Sequence, residues 1–146
     1  RGEKNGEVIL QTLDPEHLVF QSLHEPSIRD FLQHELTLRK TFTYPPYARM
    51  VLVTIAAEED TLAQRAAETV AAEFRREGNP LITIGPAPAK VVRMKRKFRY
   101  RIILRTLRED DPSGKLLKKS IQKIRDRITL PAGVQWLIDV DPVVVA

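Results

Sequence analysis

The residues best suited to chemistry in this 146-residue chain are a run of cations in its last third. Nine basic side chains follow one another without an acidic residue between them: Lys90, Arg93, Lys95, Arg96, Lys97, Arg99, Arg101, Arg105 and Arg108. Ammonium and guanidinium groups bind phosphates, and each phosphate contact releases condensed counterions from a nucleic acid. The run therefore predicts a surface for a polyanion. A solvated strand whose opposite charges lie elsewhere in the fold is the alternative.

The charge of the whole chain is segregated in the same way. Its net charge is +5, but residues 90–146 carry fifteen basic and six acidic side chains, a net charge of +9. Residues 1–89 carry −4. Charge alone does not distinguish DNA from RNA as the partner of this basic segment.

Several kinds of active site are excluded by residues that the sequence lacks. The absence of cysteine rules out a disulfide framework, a thiolate zinc site and a cysteine nucleophile. Ser113-Gly114-Lys115 resembles the end of a phosphate-binding loop, but Glu109 occupies the position of its first glycine. The histidines lack the one-face spacing of metal ligands. We therefore expect no catalytic residue, no metal and no cofactor in this chain.

Two further expectations concern the environment of the chain. No apolar run approaches the roughly 20 residues of a membrane span, and no signal peptide opens the sequence. We expect a cytoplasmic protein with no membrane partner. Because the first residue is Arg1 and not methionine, the chain is expected to be a fragment of a longer protein.

From residue 50 onwards the hydrophobic patterns alternate between strand and helix. The predicted elements are a strand at Met50–Ala57, a helix at Asp60–Glu77, strand segments at Leu81–Ile84 and Lys90–Met94, a strand at Phe98–Leu107, a helix from Asp111 to Thr129 and a strand at Val134–Val140. Gly85-Pro86-Ala87-Pro88 is expected to bend the second strand at a sheet edge. The order βαββαβ predicts an α+β, ferredoxin-like sandwich with both helices on one face of a four-stranded sheet.

The residues before this alternation predict a separate piece. A strand at Val8–Leu13 is followed by a short helix capped by Asp14 and by a second helix from Ser27 to Lys40. Pro45 and Pro46 hold the backbone extended and end the helical region. The predicted organisation is a strand-helix-helix piece at residues 1–42, a Tyr-Pro-Pro linker at 43–49 and the ferredoxin-like domain at 50–146.

The strand at Phe98–Leu107 predicts which way the cations point. Its apolar residues alternate with Arg99, Arg101 and Arg105. The arginines are therefore expected to project from the sheet face opposite the helices, beside a turn at Lys95-Arg96-Lys97. That face lacks paired exposed aromatics, which favours phosphate contact over base reading. The predicted nucleic-acid-binding residues are Arg93, Lys95, Arg96, Lys97, Arg99, Arg101 and Arg105.

Several motifs in a fixed order resemble one known family. They are Gly6–Thr12 with Pro15-Glu16-His17, Tyr44–Arg49 (YPPYAR), Gly85–Ala89 (GPAPA), Phe98–Arg101 (FRYR) and Asp139–Pro142 (DVDP). Together they resemble the C-terminal part of the primosomal protein N-prime family of replication-restart helicases. Tyr47 stands where that family usually has phenylalanine.

The resemblance implies much of the expected function. It implies an ATP-dependent 3′–5′ DNA helicase that binds abandoned replication forks and reloads the replicative helicase, with a C-terminal domain similar to a ribosomal small-subunit protein. Residues 1–42 would then be the end of helicase lobe 2. The implied cofactors of the longer protein are ATP, magnesium and zinc, and their motifs are not in this sequence.

The same resemblance implies partners and further residues. The partners are forked or single-stranded DNA, the acidic tail of single-stranded-DNA-binding protein, and primosome and helicase-loading proteins of the nucleoid. Lys115 and Lys118 are candidates for the acidic tail. Arg1 is a candidate for the end of an arginine motif that contacts nucleotide phosphates.

Two other functional classes stay open at this point. The chain could be a stand-alone RNA-binding or ribosome-associated module, or a protein-interaction adaptor. The helicase interpretation requires residues 8–40 to expose apolar surface, whereas the stand-alone interpretation requires them to pack on the sheet.

Overall fold

The computed structural model describes residues 7–24 and 28–142. The chain divides into two compact units, Arg1–Leu38 and Arg39–Ala146. Arg1 and the helix cap predicted at Ser27 lie outside the described residues.

The first unit contains helix α1 at Leu18–His24 and most of helix α2 at Ile28–Thr41. The strand predicted at Val8–Leu13 is wrong, because residues 7–12 have no regular secondary structure. An apolar, β-branched run becomes a strand only when a neighbouring strand receives its hydrogen bonds, and none of the described residues pairs with it. Helix α1 also begins later than the Asp14 cap predicts, after a turn in which the His17 amide donates to the Asp14 carbonyl at 3.3 Å.

The apolar side chains of this part of the chain are exposed. All fourteen residues of α2 belong to the described part, and none of their side chains is buried. Ile28 is 67% exposed and Leu32 53%, while Ile9 in the preceding segment is 84% exposed.

The second unit contains the predicted βαββαβ order. Its elements are β1 at Ala48–Ala57, α3 at Asp60–Glu77, β2 at Ile82–Met94, β3 at Lys97–Leu107, α4 at Lys115–Arg127 and β4 at Gln135–Val140. The strands form one sheet in the order β2-β3-β1-β4, and each neighbouring pair is antiparallel. The predicted α+β, ferredoxin-like fold is confirmed.

The core lies between the helices and one face of the sheet. Alternate residues of β1 and β3, including Val53 and Ile102, are fully buried against α3 and α4. Phe74 of α3 is also fully buried, and its ring meets Trp136 of β4 edge-on at a centroid distance of 6.2 Å. Trp136 therefore belongs to the core side of the sheet.

Strand β2 is one irregular edge strand and not two segments separated by a loop. Its pairing with β3 shifts register twice, between Ile84 and Ala87 and between Pro88 and Arg93. An edge strand tolerates prolines because half of its backbone groups face solvent. Gly85 has φ +93°, and a Cβ there would lie 2.7 Å from the Arg101 carbonyl oxygen, so the close approach of β2 to β3 requires glycine.

Helix α4 begins at Lys115, four residues after the predicted start at Asp111. The Asp111 carboxylate is buried and accepts hydrogen bonds from the amides of Leu116 at 3.1 Å and Leu117 at 2.9 Å. Asp111 thus caps the helix from the preceding loop, which places its charge at the positive end of the helix dipole.

Candidate nucleic-acid interface

Strand β3 separates the arginines from the core as its sequence alternation predicts. Tyr100, Ile102 and Leu104 are 8% exposed or less, and each pairs with a core residue of β1. Arg99, Arg101 and Arg105 occupy the alternate positions, on the face that carries no helix, and are half-buried. The alternation is confirmed, and we call this face the open face.

The turn between β2 and β3 consists of Lys95 and Arg96 alone. Met94 pairs with Lys97, and the two turn residues have φ values of +50° and +66°. A two-residue hairpin turn with both φ values positive favours Asn-Gly, because the backbone of most other residues is strained at positive φ. The chain instead places two exposed cations at this tip. We call residues 90–101, which include this turn, the basic hairpin.

Two arginines of the basic hairpin are fastened to the hairpin itself. Arg99 donates to the Val91 carbonyl from Nε at 3.3 Å and from Nη2 at 2.7 Å. The Arg93 guanidinium lies over the Phe98 ring, 5.3 Å from its centroid. These contacts hold the shape of the hairpin and fix where both positive charges lie.

The opposite end of the open face is occupied by the linker. Arg105 Nη1 donates to the carbonyls of Phe42 at 2.7 Å and Thr43 at 3.1 Å, and its guanidinium lies 5.1 Å from the Tyr44 ring centroid. Met50, the partner of Arg105 in the sheet, is 1% exposed. Arg105 is therefore engaged by residues 42–44, whereas Lys95 and Arg96 at the hairpin end are exposed.

The linker contact was not foreseen from the sequence. Arg105 lies 62 and 63 residues along the chain from the carbonyls that it binds. A hydrogen bond from a side chain to a backbone oxygen requires no particular residue at the acceptor, so the sequence shows no motif for it. Arg39 makes a similar contact, donating from Nη1 to the Pro45 carbonyl at 3.3 Å. The one hint in the sequence was Pro45-Pro46. Prolines interrupt helices and strands, so the carbonyls near them lack regular backbone partners and can accept hydrogen bonds from side chains.

Lys115 and Lys118 lie at the other end of the unit. Strand β3 runs from the basic hairpin towards the start of α4, so the length of the sheet separates these lysines from the hairpin turn. Lys118 lines an apolar cleft of about 500 Å³ together with Leu117, Ile121, Ile138 and Val140. Lys115 is exposed and faces a neighbouring cleft. The cleft at Lys118 is mainly apolar and also has Asp141 in its lining, and the cleft at Lys115 includes Asp110 and Asp111, so this surface carries charges of both signs.

Other cations of α4 serve the packing of the two helices. Lys123 Nζ lies 2.9 Å from Glu77 of α3, and Arg127 forms an ion pair with Glu73. Both partners sit near the C-terminal end of α3, and exposed pairs of this kind contribute little to stability.

Within residues 7–24 and 28–142, no group of three or more metal-ligating side chains is present. In the same part of the chain, no helix is both long and apolar enough to cross a membrane. The described residues instead concentrate exposed cations at one end of the sheet, in the basic hairpin.

Comparison with known proteins identifies similar sequences across nearly the whole chain. The family model described as primosomal protein N C-terminal domain matches residues 40–143. The replication restart protein PriA of Bacillus subtilis is 33% identical over 143 residues, which cover 97% of this chain and 18% of that protein. The PriA proteins of Synechocystis and Haemophilus influenzae are 29% and 27% identical, again over 97% of this chain. The chain spans about a fifth of the length of these relatives.

Proposed function

The chain belongs to the family of primosomal protein N C-terminal domains, and from this premise we propose that it is the part of a replication restart protein that holds forked or single-stranded DNA. The observation that carries the proposal is the basic hairpin. It places Lys95 and Arg96 on an exposed tip and holds Arg93 and Arg99 by internal contacts, in a domain whose relatives are named replication restart proteins.

The proposed contacts are with phosphates. Six of the predicted residues lie within the basic hairpin and are assigned direct contact: Arg93, Lys95, Arg96, Lys97, Arg99 and Arg101. Arg105 is assigned a supporting role, since its Nη1 donates to the linker carbonyls and its charge acts on DNA through the field of the open face. Phosphate contacts of this kind fix the position of a nucleic acid without reading its sequence.

The cleft beside Lys118 supports a second proposed contact, with the acidic tail of single-stranded-DNA-binding protein. An acidic peptide with apolar side chains needs cations next to an apolar depression. Lys118 and Arg49 line such a depression together with a single carboxylate, Asp141, and Lys115 lies at the neighbouring cleft. Contacts with primosome and helicase-loading proteins are proposed for the longer protein. ATP, magnesium, zinc and 3′–5′ helicase activity are likewise proposed for that protein, together with a place in the cytoplasm at the nucleoid.

The first unit carries several exposed apolar side chains, and we propose that they pack against the rest of a helicase lobe. Ile9, Ile28 and Leu32 are more than half exposed, which is costly for residues that have no further partner. Residues 1–42 are therefore proposed to complete a helicase lobe, with residues 43–49 as the linker. Arg1 keeps its proposed role at a nucleotide in that lobe.

Fluorescence anisotropy with the 146-residue chain tests the DNA proposal. We expect binding to forked and single-stranded DNA to exceed binding to blunt duplex. The logarithm of the affinity should fall linearly with the logarithm of salt concentration. With five or six phosphates contacted, the slope should be about −4.5 to −5.4 on duplex DNA and about −3.5 to −4.2 on a single strand. Equal affinity for all three DNAs would contradict fork binding. Tighter binding to single-stranded RNA of the same sequence would support the RNA-binding module instead.

A further inference from the structure

We propose that the aliphatic side chains of the basic hairpin contact unpaired bases at the fork junction. The proposal rests on the proposed DNA-binding function and names a second kind of contact within the same hairpin. It starts from three exposed apolar side chains that stand among the cations. Val91 is 53% exposed, Val92 40% and Met94 46%.

A bulge in β2 presents two of these side chains. Between the pairs Pro88–Tyr100 and Arg93–Phe98, four residues of β2 stand opposite a single residue of β3. Arg99 is that single residue, and its guanidinium binds the Val91 carbonyl at 2.7 Å. Ala89 at the start of the bulge is 2% exposed and anchors it in the domain. The bulge is thus fixed by specific contacts, and it keeps the side chains of Val91 and Val92 exposed to solvent.

Met94 adds a third exposed apolar side chain, next to the turn. The register places it beside Lys97, on the face that also carries Arg99 and Arg101. A strand whose phosphates are held by these cations passes within reach of the methionine side chain. Methionine is flexible and polarizable, so it adapts to a flat base of any sequence.

The surrounding charge favours a nucleic acid over a protein as the occupant. The segment from Lys90 to Arg108 contains nine cations and no acidic residue, so each exposed aliphatic group is flanked by phosphate-binding groups. In a duplex the base faces are stacked on one another and are closed to side chains. At a junction or in a single strand they are open, and aliphatic side chains are known to act as wedges between base steps.

The experiment compares two double variants of the 146-residue chain. V91S/M94S removes apolar surface from the basic hairpin. The matched control I84S/L137S removes similar surface from β2 and β4, where Ile84 is 39% and Leu137 51% exposed. Both are titrated into a fork that carries 2-aminopurine at the first unpaired position, over a range of salt concentrations.

We expect V91S/M94S to bind the fork about five- to tenfold more weakly at every salt concentration, with an unchanged salt slope, since apolar contacts release no counterions. The wild-type chain and the control should raise 2-aminopurine fluorescence, and V91S/M94S should not. Unchanged affinity and fluorescence in V91S/M94S would overturn the inference while the wild-type salt slope still supports DNA binding. An equal loss on blunt duplex would overturn the assignment to unpaired bases. A wild-type chain without salt-dependent binding would instead refute the proposed function itself.

Discussion

Replacing the turn residues with K95N/R96G is expected to stabilise the fold and to weaken DNA binding at the same time. Lys95 and Arg96 have φ values of +50° and +66°, a conformation that Asn-Gly adopts with less strain. Chemical denaturation should show a gain of about 1–2 kcal/mol in the free energy of unfolding. The loss of two phosphate contacts should make the salt slope less negative by about 1.8.

The matched control for this variant is K115Q/K118Q, which removes the same charge from the far end of the unit. We expect it to leave both stability and the salt slope close to their wild-type values, and to abolish binding of an acidic tail peptide. A K95N/R96G chain that is more stable but keeps the full salt slope would remove the turn from the DNA interface. A less stable K95N/R96G chain would show that the turn geometry is not strained.

Replacing Phe74 with alanine is expected to lower the free energy of unfolding by about 3–5 kcal/mol. The Phe74 side chain is fully buried and joins α3 to Trp136 on β4, so its removal leaves a cavity between the helix layer and the sheet. Because Trp136 is the chain's single tryptophan, its fluorescence reports directly on this region during denaturation.

Phe42→Ala is the matched control for the core variant. The Phe42 side chain is 60% exposed, and only its backbone carbonyl receives the Arg105 hydrogen bond, which alanine retains. We expect a change within about 0.5 kcal/mol. A Phe74→Ala loss no larger than that of Phe42→Ala would contradict the position of the core between α3 and the sheet.

The elements whose bounds or orientation were predicted correctly have one face against the core and one face towards solvent. Helix α3 has the predicted bounds, Asp60–Glu77, because its apolar stripe faces one core and Gly78 ends it. The alternation in β3 likewise follows from one buried and one open face. Both patterns are local in the chain and need no knowledge of distant contacts.

The features that sequence reasoning missed depend on distant parts of the chain. Val8–Leu13 has the composition of a strand, but a strand forms only beside a partner. The Arg105 guanidinium donates hydrogen bonds to two main-chain carbonyls. Every residue type has such a carbonyl, so the sequence does not indicate this contact. Arg105 therefore looks the same as Arg99 and Arg101 in the sequence, although its guanidinium binds the carbonyls of Phe42 and Thr43.

The two proposed binding surfaces lie far enough apart for DNA and an acidic protein tail to bind at the same time. Strand β1 spans ten residues, which corresponds to about 33 Å at the usual rise per residue. The turn of the basic hairpin lies beyond one end of this strand, and Lys118 lies near the other. DNA and an acidic protein tail would therefore not compete for the same cations, and the domain is expected to bind both at once.

The most direct test of the central claim is to map the DNA contact residue by residue. The ¹⁵N-labelled 146-residue chain is titrated with forked DNA at moderate salt, and the change in each backbone amide signal is recorded. We predict that the largest changes occur in the basic hairpin, from Lys90 to Arg101, and that the amides around Lys115 and Lys118 stay near their free positions. Largest changes on α4 or in residues 7–38, with the hairpin unaffected, would contradict the account.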